Sequence, residues 1–168
     1  MCVRISFRLN GRAVDEDVPV NRTLLDHLRE DLDLLGTNKA CESGDCGCCI
    51  VLRDGEPVCS CLLLAVDAND HEVLTIEGLS HGDELHPIQR AFVEKWAIQC
   101  GFCTPGMVMS ALALLGDEPH PSDDEIRAAL AGNLCRCTGY AKIVEAVQYA
   151  AELMADHHPG PLPEGKGT

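Results

Sequence analysis

Aromatic residues make up only 4% of this 168-residue chain: one Trp, two Tyr and three Phe. So few rings do not build a stacking platform for bases. Basic residues are scarce too. Thirteen Lys and Arg stand against 27 Asp and Glu, giving a formal net charge of −14 and a pI near 4.7. That balance leaves no basic patch, so nucleic acid and anionic membrane surfaces are poor candidates as partners. Long apolar runs are missing: the longest, Met107 to Leu115, is too short to span a bilayer. The N-terminus from Met1 to Arg8 alternates in type and lacks the continuous apolar core of a signal peptide. A cytoplasmic setting is therefore expected. The sequence shows no Ser/His/Asp constellation, no Walker loop, no dinucleotide fingerprint and no internal repeat. None of the seven histidines stands beside a cysteine in the spacing of a Rieske centre, and His157-His158 read as solvated. Substrate chemistry is accordingly expected on a partner.

Cysteine, by contrast, is abundant. Of eleven, eight fall into two sets of four: Cys41, Cys46, Cys49 and Cys61, then Cys100, Cys103, Cys135 and Cys137. In a chain without an export signal they are better read as metal ligands than as disulfides, and the odd total argues against full pairing. Four soft thiolates on tight loops can enclose one metal centre. The first set has the C-x4-C-x2-C spacing, with a distant fourth cysteine, of a plant-type [2Fe-2S] cluster. Zinc is the alternative, since four cysteines also satisfy tetrahedral Zn²⁺. It is more serious for the second set alone than for the first; two complete sets together favour iron and sulfide, and hence electron transfer.

Apolar residues at 46% and charged residues at 24% describe a globular chain, long enough for one large domain or two small ones. Val3 to Leu9 alternates with period two, a half-buried strand, and Asn10-Gly11 is a strong hairpin turn. A second strand with imperfect alternation runs through Ala13, Val14, Val18 and Val20. Thr23 is a helix N-cap, Leu24, Leu25, Leu28 and Leu32 mark one helical face, and Gly36 is expected to end it. Ile50 to Leu52, a turn at Asp54-Gly55-Glu56-Pro57, a return strand from Val58 to Leu64 and a strand over 72–76 follow. This order is that of a β-grasp fold.

From Pro87 onward the pattern is helical. Ile88, Ala91, Phe92 and Lys95 suggest one helix, Met107 to Leu115 a second, and Ile126 to Leu130 a third, opened by the capping box Ser122-Asp123-Asp124-Glu125. Ile143, Val144, Val147, Ala150, Ala151 and Met154 mark the last. A boundary is expected near residues 77–86. The Pro- and Gly-containing tail from Asp156 is expected to be extended or disordered. Asp15-Glu16-Asp17 and Asp123-Asp124-Glu125 are read as solvated charge on turns or helix starts.

In the first cysteine loop, Gly44 and Gly47 permit positive φ and let backbone N–H groups approach a cluster. In the second set, Thr104-Pro105 reads as an N-cap with proline at the first helical position, so both ligand pairs are expected near helix ends, where orphan N–H groups favour thiolate. Cys2, Cys48 and Cys59 are left over. Cys48 is read as a small buried residue, with ligation in place of Cys49 as a minority alternative; Cys59, two before Cys61, is the stronger rival to a ligand. Arg136 lies between two ligands and either tunes a cluster or meets a partner. Tyr140 and Trp96 are read as packing residues.

These motifs carry a resemblance. The segment from Cys41 to Cys49 resembles the N-terminal cluster loop of the small iron–sulfur subunit of molybdenum hydroxylases, the family of xanthine dehydrogenase, aldehyde oxidoreductase, molybdenum-type carbon monoxide dehydrogenase and N-heterocycle hydroxylases. The stretches from Gln99 to Gly106 and from Gly132 to Tyr140 are similar to its second-cluster motifs, and the likeness runs from about residue 3 to residue 154. Cys48 departs from the small non-ligating residue usual there. The resemblance implies an α+β chain: a β-grasp, plant-type ferredoxin-like domain over 1–78, an all-α four-helix-bundle domain over 79–155, and a tail over 156–168. It implies one [2Fe-2S] cluster in each domain, ligated by the two cysteine sets, with Gln99 and Cys137 close to a molybdopterin (as its cytosine dinucleotide) on a large partner subunit. It further implies an FAD-binding medium subunit facing the first cluster and a dimer of heterotrimers. Electrons would pass singly from molybdenum through both clusters to the flavin. A free-standing two-cluster ferredoxin is the alternative.

Overall fold

The computed structural model describes residues 1–156, so the expected tail beyond Asp156, with His157-His158, lies outside the described residues. Strands β1 (Cys2–Leu9) and β2 (Arg12–Pro19) pair antiparallel, Leu9 opposite Arg12, around the two-residue turn Asn10-Gly11. Both turn residues have positive φ (51° and 77°), the I′ geometry that matches strand twist. Strands β3 (Ile50–Arg53) and β4 (Glu56–Cys59) repeat the device at Asp54-Gly55, with φ of 53° and 88°. The turn is thus shorter than expected. Glu56 and Pro57 belong to β4, and β4 stops at Cys59 where a strand to Leu64 was expected. Pro57 is tolerated because β4 lies at the sheet edge, where a missing N–H leaves no partner short.

Strand β5 (Glu72–Leu74) completes a five-stranded sheet in the order β2-β1-β5-β3-β4, with β5 parallel to β1 and antiparallel to β3. Along β1 the alternation buries Ile5, Phe7 and Leu9. The imperfect alternation of β2 has a local cause. Glu16 takes an inward position between Val14 and Val18, where its Oε1 comes within 3.4 Å of Nε2 of the buried His27. Asp15 and Asp17 sit on the opposite, exposed face of the same strand, against Arg4. This acidic triplet is therefore strand, not turn.

Thr23 caps α1 (Leu24–Asp26), its Oγ1 accepting the Asp26 N–H at 3.1 Å. The helix continues as a π-turn over His27–Asp31 and is over at Leu32. Asp33, at φ 54°, turns the chain away, so the expected stop at Gly36 comes four residues too late. Gly36 has another use: its N–H donates to Glu77 Oε1, and an added Cβ would collide with Ile76. Leu24 and Leu28 pack with Ile5, Phe7, Val51 and Val73 into one core.

The second half holds α2 (Pro87–Glu94), α3 (Thr104–Asp117), α4 (Asp123–Ala129) and α5 (Ala141–Asp156). Ile88, Phe92, Met107, Met109, Ile126 and Ile143 form a second core between them. The capping box holds as expected: Ser122 Oγ accepts from Glu125 N–H, and Glu125 answers on Ser122 N–H at 2.7 Å. The two cores share β3, which is buried on both faces. Val51 points to the first core and Leu52 to the second, so the loop entering β3 is held at the seam.

Candidate metal centres

The loop from Cys41 to Cys49 curls because three of its residues take positive φ: Glu42 (57°), Gly44 (84°) and Gly47 (69°). Lys39 pins its start, reaching Asp26 at 2.8 Å and Glu42 at 3.1 Å. Within this set the thiols stand in pairs. Cys41 neighbours Cys46, and Cys49 neighbours Cys61. The fourth member arrives through Ser60, which is fully buried. Its Oγ–H donates to the Cys49 carbonyl at 2.7 Å while its own carbonyl accepts from Leu25 N–H at 3.1 Å. These bonds lock Cys61 beside Cys49.

The environments of the four differ. The Ser43 N–H, then Cys46 and the Ser43 hydroxyl, bring the exposed Cys41 thiol down to about 6. Burial pushes the Cys61 thiol up to about 12, beside Cys49. An anion is thus readily held at the loop's outer edge, and an inner sulfur is stable as thiolate only when bound to a cation.

The second set brings residues from two helix starts together. Cys103 is itself the N-cap residue of α3, with Thr104 and Pro105 as the first two helical residues. The expected Thr104 cap is therefore shifted by one, and the α3 N-terminus points its orphan N–H groups toward a ligand-bearing turn. Cys135 and Cys137 precede α5. Cys100 Sγ and Cys137 Sγ lie 3.6 Å apart, and Cys103 neighbours Cys135. Burial lifts the Cys103 thiol to about 12. At Cys135 burial acts in the same direction, but the Thr138 hydroxyl and N–H outweigh it and hold the thiol below its ordinary value. Cys100 and Cys137 are exposed, as are Gln99 and Arg136; Cys103 and Cys135 are half-buried.

Two thiolates on one tetrahedral metal with bonds of about 2.3 Å stand about 3.8 Å apart, so the Cys100–Cys137 spacing of 3.6 Å suits two ligands of one iron. Among the described residues no three Cys, His, Asp or Glu side chains converge on a point for a single ion. The cysteines present two pairs per set, the donor pattern of a two-iron rhomb. When bound there, a [2Fe-2S] cluster supplies one-electron oxidation and reduction.

The two centres meet directly. Leu134 N–H donates to the Cys46 carbonyl at 2.9 Å, and Asn133 Nδ2 donates to the Gly47 carbonyl at 3.1 Å. Asn133 Oδ1 accepts from Ser110 on α3 at 2.8 Å. Gly106 lies so close to Gly47 O that a Cβ would overlap it. Cys48 sits in this seam, 5% exposed, with burial raising its thiol to about 12. Its sulfur faces the Cys46 carbonyl at 3.9 Å and senses Cys103 across the seam.

Two residues read as packing do something else. The Tyr140 hydroxyl accepts from Cys135 N–H at 2.8 Å and donates to the Asn133 carbonyl at 2.9 Å, bracing the second ligand loop. Trp96 is 82% exposed with φ 58°. It closes a Schellman motif after α2, where Trp96 N–H bonds Val93 O and Ala97 N–H bonds Phe92 O, at a position that favours glycine. Both roles are local in the chain, but a lone aromatic residue carries no spacing signal that distinguishes them from packing. Ser60, Asn133 and Ser110 were likewise not foreseen, because a single Ser or Asn carries no spacing signal.

The sequence matches the 2Fe-2S iron-sulfur cluster binding domain over residues 7–75 and the [2Fe-2S] binding domain over residues 75–148. It is 45% identical over 154 residues to the nicotinate dehydrogenase small FeS subunit of Eubacterium barkeri, covering 92% of this chain and 98% of that one. It is 50% identical over 145 residues to the nicotine 6-hydroxylase small subunit of Paenarthrobacter nicotinovorans, covering 86% and 87%. A chain of quinoline 2-oxidoreductase from Pseudomonas putida 86 superposes with a TM-score of 0.89 at 44% identity, over 93% of this chain and 98% of that one. The paired thiols, the two matched cluster domains and these full-length relatives lead to one conclusion: the chain belongs to the small, electron-transferring iron–sulfur subunits of the molybdenum hydroxylases.

Proposed function

We propose that Cys41, Cys46, Cys49 and Cys61 hold one [2Fe-2S] cluster and Cys100, Cys103, Cys135 and Cys137 the other. The chain then carries single electrons from a molybdopterin on a large partner subunit to an FAD on a medium one. The layout that goes with this is a plant-type ferredoxin-like domain over 1–78 and a four-helix bundle over 79–155, acting in the cytoplasm within a dimer of heterotrimers. The pterin is the cytosine dinucleotide form. The observation that carries the reading is the seam. From Cys46 a carbonyl accepts the Leu134 N–H at 2.9 Å, and the next residue is Cys135. One hydrogen bond thus links a ligand of the first set to the neighbour of a ligand of the second.

The exposed faces support the assignment of partners. Ile98, Phe102 and Leu134 are exposed around Cys100, Cys137 and Gln99, and Trp96 stands nearby. An apolar rim around exposed sulfur suits burial against a large subunit, with Gln99 and Cys137 toward the pterin. The first set opens at the exposed Cys41, and the exposed Leu62 packs on Gly44 of the same loop; this face suits the flavin subunit. A carrier working alone has no use for an apolar rim around exposed sulfur.

The order of the centres is tested in the assembled complex by Cys135→Ser, which disables the second centre. Substrate-driven reduction of the first centre should then fall at least about 100-fold, while dithionite still reduces it. Unchanged reduction by substrate would overturn the order.

A further inference from the structure

The first centre has a fifth thiol. Cys59 ends β4, half-buried, and its side chain turns toward the cysteine loop. Its Sγ lies 3.8 Å from the Gly44 carbonyl. The Cys61 sulfur meets the N–H of that same Gly44, and both sulfurs neighbour Cys49. Cys59 also packs against the small cluster of Leu25, Cys49 and Cys61. Cys59 and Cys61 therefore share two neighbours on the loop. Cys48 differs: it lies in the seam beside Cys46, a member of the other pair, with its sulfur toward the Cys46 carbonyl.

We propose that Cys59 is a reserve ligand of the first centre, able to take the place of Cys61 on the iron that Cys49 also binds. This rests on the ligand sets proposed above. In the exchange the bond from Cys61 sulfur to iron is lost and that sulfur takes up a proton from solvent, while the Cys59 thiol gives its proton to solvent and its sulfur forms the new bond to iron. One thiolate replaces another, so neither the iron oxidation state nor the charge of the centre changes. Access follows from position: the Cys59 sulfur already lies beside Gly44 and Cys49. A change of its side-chain rotamer moves that sulfur without breaking the pairing of β3 with β4 or the Ser60 bonds.

The test uses the full-length chain with three readouts: iron per chain, the visible spectrum and electron paramagnetic resonance after reduction. Wild type is expected to hold about four iron, two per cluster. Cys61→Ala should keep about four, with a shifted first-centre signal that still has all-thiolate character. Cys61→Ala combined with Cys59→Ala should fall to about two, leaving the second-centre signal alone, whereas Cys61→Ala with Cys48→Ala should match Cys61→Ala. A Cys61→Ala protein with about two iron and an intact second-centre signal would overturn the proposal, because that signal certifies a folded chain. Should Cys61→Ala fail to accumulate, Cys61→Ser decides. An oxygen-ligated spectrum that is the same with and without Cys59 overturns the proposal; a thiolate spectrum that needs Cys59 supports it. Wild type without iron would instead remove the cluster assignment on which the proposal rests.

Discussion

Asn133 is buried and uses both ends of its amide across the seam, donating to Gly47 and accepting from Ser110. Asn133→Ala leaves the Ser110 hydroxyl without its partner and the Gly47 carbonyl with the Ile50 N–H alone, a cost of about 1–3 kcal/mol, read as a lower urea midpoint at unchanged slope. Tyr140→Phe removes the acceptor of the Cys135 N–H and the donor to Asn133 O. It should alter the second-centre resonance signal and leave the first unchanged; equal changes in both would contradict a local bracing role. Trp96 presents the opposite case. Its left-handed backbone costs a non-glycine residue about 1–2 kcal/mol, so Trp96→Gly should stabilise the isolated chain. If Trp96 meets the large subunit, the same variant should weaken association about tenfold or more, as for a buried interface tryptophan. At this scale the candidate ligand thiols were legible because their spacing is itself the signal. Ser60 and Asn133 were not, since each matters through partners that the tertiary fold brings near, and Tyr140 was not because a single tyrosine bracing its own loop carries no spacing signal.

Among the elements, local rules held where a turn or cap is specified by adjacent residues. Asn10-Gly11, Asp54-Gly55 and Ser122 to Glu125 all form what their chemistry dictates. They failed where tertiary contacts decide, as at Gly36, which serves Glu77 and Ile76 and stops no helix. Ser122→Ala should cost about 1 kcal/mol, read by thermal unfolding. The Ser122 hydroxyl and N–H hold the Glu125 carboxyl below its ordinary value. A lowered folded value means the contribution is present above the ordinary carboxylate range and fades as pH falls through the folded value. The gap in stability between wild type and Glu125→Gln should therefore be full at pH 7 and shrink below about pH 4.5. Two glycines of α3 give a sharper contrast. Gly106→Ala drives a Cβ into the Gly47 carbonyl and should cost about 3 kcal/mol. Gly116→Ala meets nothing within 4 Å and should gain about 0.5–1 kcal/mol. Chemical unfolding of both variants checks the pair, and equal effects would mean that the seam tolerates separation.

The whole molecule is two hydrophobic cores joined along β3, with one cysteine set at the entrance to that strand and the other at the starts of α3 and α5. Its surface is acidic, with exposed Ile98, Phe102 and Leu134 near the second cysteine set. Among the described residues no helix is long and apolar enough to cross a membrane. The pairing of thiols within each set was not legible from spacing, since it depends on how the loops close. On the proposed ligand sets, that pairing carries the chemistry. Electron paramagnetic resonance of the anaerobically purified, dithionite-reduced chain, with iron and zinc determined on the same sample, tests it most directly. Two distinct signals with about four iron per chain are predicted; zinc in place of iron, with no signal on reduction, would contradict the account.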